Sequence, residues 1–308
     1  MLGATSLRPD AVIGNVPPGC APCTVEKAAI NAVMAGCRPE YLPVLLTALE
    51  AALDPMFTLH GLLCSTCFSA PILVVNGPVA RRLGLNSGVN ALGQGNRANA
   101  TIGRALNLIV RNVGDGKPGA IDRCTLGTPA KVTLCFAEDE SDPAWMPLAQ
   151  ARGVPAGRSA VTLFQGDALQ AFVDRESRSP EALARSLASA LLAVGHPKLC
   201  EFCNALLVLS PTHWAVFRRA GWGRREVESA LRAALLRPQA DVVFGAHGVG
   251  EGIAPRPGGA PVHKFHDGGL LVARAGGEDG PCSAILGGWT GGRFRDESQP
   301  VTREIADA

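Results

Sequence analysis

The stretch His60–Pro78, HGLLCSTCFSAPILVVNGP, sets Cys64 and Cys67 three positions apart just before an apolar, β-branched run. The spacing predicts a loop carrying the cysteines and a short buried strand over Pro71–Asn76, ended by Gly77-Pro78. A second stretch, KLCEFCNALLVLSP at Lys198–Pro211, has the same plan: Cys200 and Cys203, an apolar strand from Ala205, then proline. Helical patterns precede both, PEYLPVLLTALEAALDP (Pro39–Pro55) and SPEALARSLASALLAVG (Ser179–Gly195), and a helix ending RRAGW follows the second. The order helix, CxxC loop, strand, proline, helix thus occurs twice. It points to an α/β fold in which helices alternate with short strands, with an internal duplication of that unit.

Working outward, CTVEKAAINAVMAGCRPE (Cys23–Glu40) predicts an earlier helix, with Thr24 as its cap and Gly36 as its stop. The runs KVTLCFAED from Lys131 and AVTLFQGDA from Ala160 read as further strands, and LLVARAGGEDGPCSAILGGW (Leu270–Trp289) as two strands around a Gly-rich turn. The expected division is a half spanning 1–130 with two CxxC pairs and a half spanning 131–308 with the third and a Gly-rich tail.

A chain of 308 residues, 47% hydrophobic, can bury a large core without disulfides. No stretch approaches the roughly 20 apolar residues of a membrane helix, and the N-terminus lacks a signal-peptide pattern. The expectation is a cytoplasmic protein with reduced thiols, in which CxxC pairs do metal or redox work. A formal charge of +2 with dispersed basic residues argues against nucleic acid or membrane as partner.

Six of ten cysteines fall in three CxxC pairs: Cys20 and Cys23, Cys64 and Cys67, Cys200 and Cys203. Two thiolates at this spacing reach the same side of a turn and can share a metal, so an iron–sulfur cluster is the leading expectation, with zinc and a metal-free redox dithiol as alternatives. Neither Thr24, Phe68 nor Asn204 supplies the His that c-type haem attachment needs. Cys37, Cys124, Cys135 and Cys282 read as small buried residues, with Cys37 near the first pair. His60, four residues before Cys64, is the acid–base group best placed beside such a centre, whereas His263 and His266 lie in a Gly/Pro-rich loop.

The segment Asn86–Val110 contains Gly93, Gly95 and Ala98 in a G-x-G-x-x-A pattern opening a helix. No strand ends just before it, which excludes a dinucleotide fingerprint, yet Asn86, Ser87, Asn96, Arg97, Asn99 and Thr101 could hold an anionic substrate group. A turn and helix cap satisfied by the amides is the competing interpretation. No P-loop, G-x-S-x-G elbow or H-E-x-x-H is present.

The blocks VPPGCAPCTVEKAAINAVMAGCRPEYLPVLLTALEA (Val16–Ala51), LVVNGP, LNSG, GNRANATIGRALNLI and SQPVTREI resemble the C-terminal region of the UGSC family of (seleno)proteins. Fuller members carry a selenocysteine-Gly-Ser-Cys motif in a separate N-terminal domain. No such motif stands in this sequence, so it is not carried over. The resemblance implies thiol or selenol redox chemistry, with the three CxxC pairs as this chain's own addition. The combined expectation is an oxidoreductase or lyase acting on a small anionic substrate at a cysteine-ligated centre. It is expected as a homodimer or with a partner carrying the missing domain. A dithiol oxidoreductase and a zinc-stabilised, non-enzymatic binding module are the alternatives.

Overall fold

In the computed structural model, which describes residues 1–67, 69–290 and 298–306, each apolar run after a CxxC is a seven-residue strand buried along its whole length. In chain order the first half comprises β1 (Val12–Val16), β2 (Ala21–Thr24), α1 (Val25–Ala35), α2 (Leu42–Ala52), α3 (Leu59–Cys64), β3 (Ala70–Asn76), α4 (Pro78–Arg82), α5 (Arg97–Asn112), β4 (Cys135–Ala137), α6 (Leu148–Ala151) and β5 (Ala160–Val173). The second comprises α7 (Pro180–Leu191), β6 (Cys203–Leu209), α8 (Pro211–Arg219), α9 (Arg224–Ala234), β7 (Leu236–Arg237), α10 (Gln239–Val242), β8 (Val262–His263), β9 (Leu270–Arg274) and β10 (Cys282–Thr290), before a closing β11 (Val301–Glu304). Local chemistry sets the boundaries. Thr24, Asn96, Ser179 and Ser210 each cap a helix by accepting a backbone N–H from three residues on, and Gly36 ends α1 at φ 91°.

The fold is α/β around a mixed sheet of order β4-β3-β5-β10-β6-β9, with β11 also paired to β5. The order reads alike from both edges: an outer parallel pair (β4 with β3, β9 with β6), then an antiparallel step inward, then the antiparallel centre β5 with β10. The repeated element order is therefore also a repeated topology, related by a pseudo-dyad near the facing pair Gly166 and Gly288. Glycine is required at the second of these, because a Cβ on Gly288 would come within 2.7 Å of the Asn204 carbonyl oxygen, while one on Gly166 would displace the end of the Ile72 side chain. β5 is long enough to serve both halves: residues 160–166 face β3, and 166–173 face β10. In return β11 runs back beside the start of β5, and Ile305 N bonds Ser159 O as Asp174 N bonds Pro281 O.

Both faces of β3 are covered. Ile72 and Val74 join Phe136, Phe164, Leu206 and Leu286 in one cluster, whereas Leu73 and Val75 pack with α1, α2 and α5 in another. The second half packs α7, α8 and α9 onto β6 and β9 in the same way. That two-sided burial is why the strands read as unbroken apolar runs. The sheet curls until its outer strands touch, where Asp139 N donates to Arg274 O at 2.7 Å. Across the seam, buried Glu138 accepts from Asn76, the Trp145 indole, Leu148 N and Arg224, whose guanidinium stacks on Trp145 at 4.3 Å.

Two expectations change. The division at residue 130 separates β3 from its partners β4 and β5, and the topological repeat instead divides after β5. The two strands around the Gly-rich turn, β9 and β10, form but do not pair with each other, because β6 lies between them. Among the described residues no single helix is long and apolar enough to cross a membrane.

Candidate thiol site

The register places the two strand-linked CxxC loops near the pseudo-dyad. Ala70 faces Gly166 at the start of β3, and Cys203 faces Thr290 at the start of β6. Cys64 ends α3, and the chain then bends through Ser65 and Thr66 to the exposed Cys67. The Ser65 hydroxyl fixes this bend by accepting from Cys67 N at 3.0 Å and from the Trp289 indole N–H at 3.1 Å. A segment from far along the chain closes over it: Thr125 N donates to Thr66 O, and the Cys124 thiol to Cys67 O, both at 2.9 Å. Asp122 Oδ1 accepts from Cys124 N, and its Oδ2 takes the Lys131 ammonium at 2.6 Å. Burial works to raise the Asp122 carboxyl, but hydrogen bonds from Lys131 and Cys124 outweigh it and hold the group below its usual range. Burial pushes the Cys124 thiol up, with Lys131 pulling against it.

Cys203 is a different kind of thiol. Burial pushes it up to about 11, Lys264 opposes the rise, and the charges of Asp167 and Cys67 add to it. Cys200 faces away, in a small cluster with Val242, Val262 and Ile253, and burial raises its thiol too. Its loop is pinned by Lys264, whose buried ammonium donates to the carbonyls of Val194, His196 and Leu199, and whose pKa burial lowers to about 8. Cys23 is fully buried under the β1–β2 hairpin and pushed up to about 11 by burial, while Cys20 is exposed beside Pro18 O.

Among the described residues no group of three or more His, Cys, Asp and Glu side chains is arranged to hold a metal ion. The three pairs expected as one ligand set are dispersed: Cys23 and Cys203 lie in separate apolar clusters and Cys200 in a third. As folded, the thiols do not fit an iron–sulfur cluster or a four-thiolate zinc site.

His60 is exposed on α3. His266 bonds Asn204 Oδ1 at 2.6 Å, and His263 lines the same cavity of about 370 Å³. The polar group expected to hold substrate is occupied by the backbone. Asn99 bonds Asn86 N, Asn86 O and Ala91 O; Asn96 caps α5 and reaches Gly84 O; Arg97 Nε donates to Gly36 O; and Thr101 donates to Arg97 O. Asn86 O and Ser87 O accept from Ala137 N and Gly276 N, which laces this loop across the seam where β4 and β9 end. Of the four cysteines expected to be buried, Cys37 and Cys135 are, whereas Cys124 is half-exposed and Cys282 exposed. Sequence reasoning missed Cys124, Asp122 and Lys131: no spacing rule connects a lone cysteine to a loop 57 residues away. No protein-family model matches the chain, and no curated protein matches it, so the resemblance drawn from its motifs rests on those motifs alone.

Proposed function

We propose that the chain is a thiol–disulfide oxidoreductase whose working thiols are Cys67, Cys64 and Cys124. The observation that carries this reading is the docking of the 122–125 segment on the CxxC bend through the Cys124 thiol and Thr125 N–H. The Cys124 sulfur lies 2.9 Å from the Cys67 carbonyl oxygen, an atom two bonds from the Cys67 Cα. A side-chain rotation at Cys124 would turn its sulfur from that carbonyl toward Cys67 Sγ, the move a disulfide between the two requires. Cys67 is exposed and can meet a substrate, and Cys124 is half-exposed beside it, whereas Cys23 and Cys203 are buried in apolar clusters that a substrate disulfide does not reach.

In the reductive direction the Cys67 thiolate attacks one sulfur of a disulfide RS–SR, forming Cys67–S–SR and releasing RS⁻. Cys124 or Cys64, as thiolate, then attacks Cys67 Sγ and expels the second RS⁻. Two electrons have moved from the protein to the substrate, leaving a protein disulfide. A dithiol donor restores the reduced state by the reverse exchange. Burial and the Asp122 carboxylate disfavour a Cys124 thiolate and Lys131 favours it, so the resolving proton is lost to solvent as the mixed disulfide is attacked. A reducing compartment such as the cytoplasm suits this cycle.

Steady-state reduction of hydroxyethyl disulfide by the full-length protein, with dithiothreitol as donor, tests the reading. Activity is expected to vanish in Cys67→Ser, to fall at least tenfold in the Cys64→Ser, Cys124→Ser double variant, and to persist in Cys20→Ser. Turnover unaffected by Cys67→Ser would refute the assignment.

A further inference from the structure

Beside the thiols, the face of α5 carrying Arg104, Asn107 and Arg111 forms one wall of a cleft of about 190 Å³. Spacings of three, four and seven place these residues on one side of a helix. The opposite wall holds Asp122, Lys131 and Ser69. The charges do not cancel. Asp122 is matched by Lys131, while Arg104 and Arg111 have no acidic or hydrogen-bonding partner among the described residues. The cleft therefore carries two solvent-exposed guanidinium groups that no described acidic residue neutralises. Asn107 spends its amide on Gly103 O and Ala130 O. Ser69 is 1% exposed and its hydroxyl has no partner among the described residues, an unusual state for a buried polar atom lining a cleft.

The cleft continues into a second one of about 380 Å³, which shares Pro118, Asp122 and Lys131 with it and is lined by Cys124. A ligand anchored between the arginines would thus extend past the Lys131–Asp122 pair toward Cys124, whose thiol contacts the Cys67 backbone.

We infer that this cleft is the substrate site and that it takes a small disulfide bearing carboxylate groups, held by Arg104 and Arg111 with the Ser69 hydroxyl as a further donor. Guanidinium suits the role because its planar fork pairs with a carboxylate through two parallel hydrogen bonds. The inference rests on the dithiol reading for the chemistry, but the anion site can be tested apart from it.

Three disulfides of matched chemistry and different charge serve as probes: glutathione disulfide, which carries carboxylates, neutral hydroxyethyl disulfide and cationic cystamine. Wild-type protein is expected to reduce glutathione disulfide with a kcat/KM at least tenfold above that for cystamine, and to lose that preference as salt is raised. In the Arg104→Gln, Arg111→Gln double variant, kcat/KM for glutathione disulfide should fall at least tenfold while that for hydroxyethyl disulfide changes less than twofold. Ser69→Ala, which removes only the hydroxyl, should weaken glutathione disulfide binding severalfold with an unchanged melting temperature. Equal use of all three disulfides, unaltered by the arginine changes, would overturn the inference. If no disulfide is turned over, the dithiol reading fails on its own. Calorimetric binding of glutathione disulfide to a Cys64→Ser, Cys67→Ser, Cys124→Ser variant then decides the site, which stands if binding is lost on changing Arg104 and Arg111 and falls if binding is absent or indifferent to them.

Discussion

Cys67 and Cys203 occupy the last cysteine position of matching loops, yet their surroundings give them opposite roles. Cys203 is 6% exposed and its thiol is pushed up to about 11 by burial, so it behaves as a core residue. A thiol whose pKa is raised by folding adds stability that is complete below its unfolded value, near 9, and is lost as pH rises through about 11. Two units correspond to about 2–3 kcal/mol. Lys264 works the other way: its pKa is lowered to about 8, so its contribution grows between there and its ordinary 10.5. Denaturant unfolding at pH 8.5 and near pH 11 should therefore show a loss of stability that is smaller by about 2–3 kcal/mol in Cys203→Ala than in the wild type. An identical loss in both would remove Cys203 from the buried set. At this scale the sequence shows how the cysteines are spaced but not their states, because spacing says which sulfurs can share a turn and nothing about which apolar residues cover them. Cys124 was illegible for the same reason.

Among the elements, the helix boundaries were legible where a single side chain decides them. Thr24, Ser179 and Gly36 sit where capping chemistry requires. The Asn86–Thr101 segment was ambiguous, since an amide that caps a helix and one that grips an anion look alike in sequence. The structure gives it a mechanical task, with Asn99 fastening the loop that crosses the sheet seam. Asn99 is 3% exposed, and its truncation strands buried partners. Asn99→Ala is expected to cost about 2–3 kcal/mol of unfolding free energy. Asn96→Ala, at a half-exposed cap, should cost about 1 kcal/mol. Equal, negligible effects on the denaturation midpoint would contradict this division of labour.

For the molecule as a whole, the repeated order of helix, CxxC, strand and proline was visible in the chain, and it is a repeat in topology as well. What no local pattern could reveal is that the halves exchange strands: β5 extends into the second half, β11 returns to the first, and the seam is bridged by Glu138 and Arg224. Pairing between distant strands is set by the whole sheet, not by the residues of either strand. The halves should consequently unfold together. Unfolding followed by fluorescence and by far-ultraviolet circular dichroism is expected to give coincident transitions, and Glu138→Ala, which leaves buried Arg224 with Glu228 alone and strands the Asn76, Trp145 and Leu148 donors, should lower stability by about 3–5 kcal/mol while the curves still coincide. Two separated transitions would mean that the halves are independent domains.

The redox reading is tested most directly by equilibrating the full chain with glutathione buffers of graded potential, quenching with acid, alkylating the free thiols and mapping the disulfides by peptide mass. The expected result is one reversible two-electron couple joining Cys67 to Cys64 or Cys124, with a midpoint of roughly −220 to −320 mV, close to the cytosolic poise, while Cys23 and Cys203 stay reduced throughout. The contradicting result is a protein in which Cys64, Cys67 and Cys124 remain thiols at every potential, or in which those sulfurs are occupied by iron or zinc in stoichiometric amount after purification without oxygen.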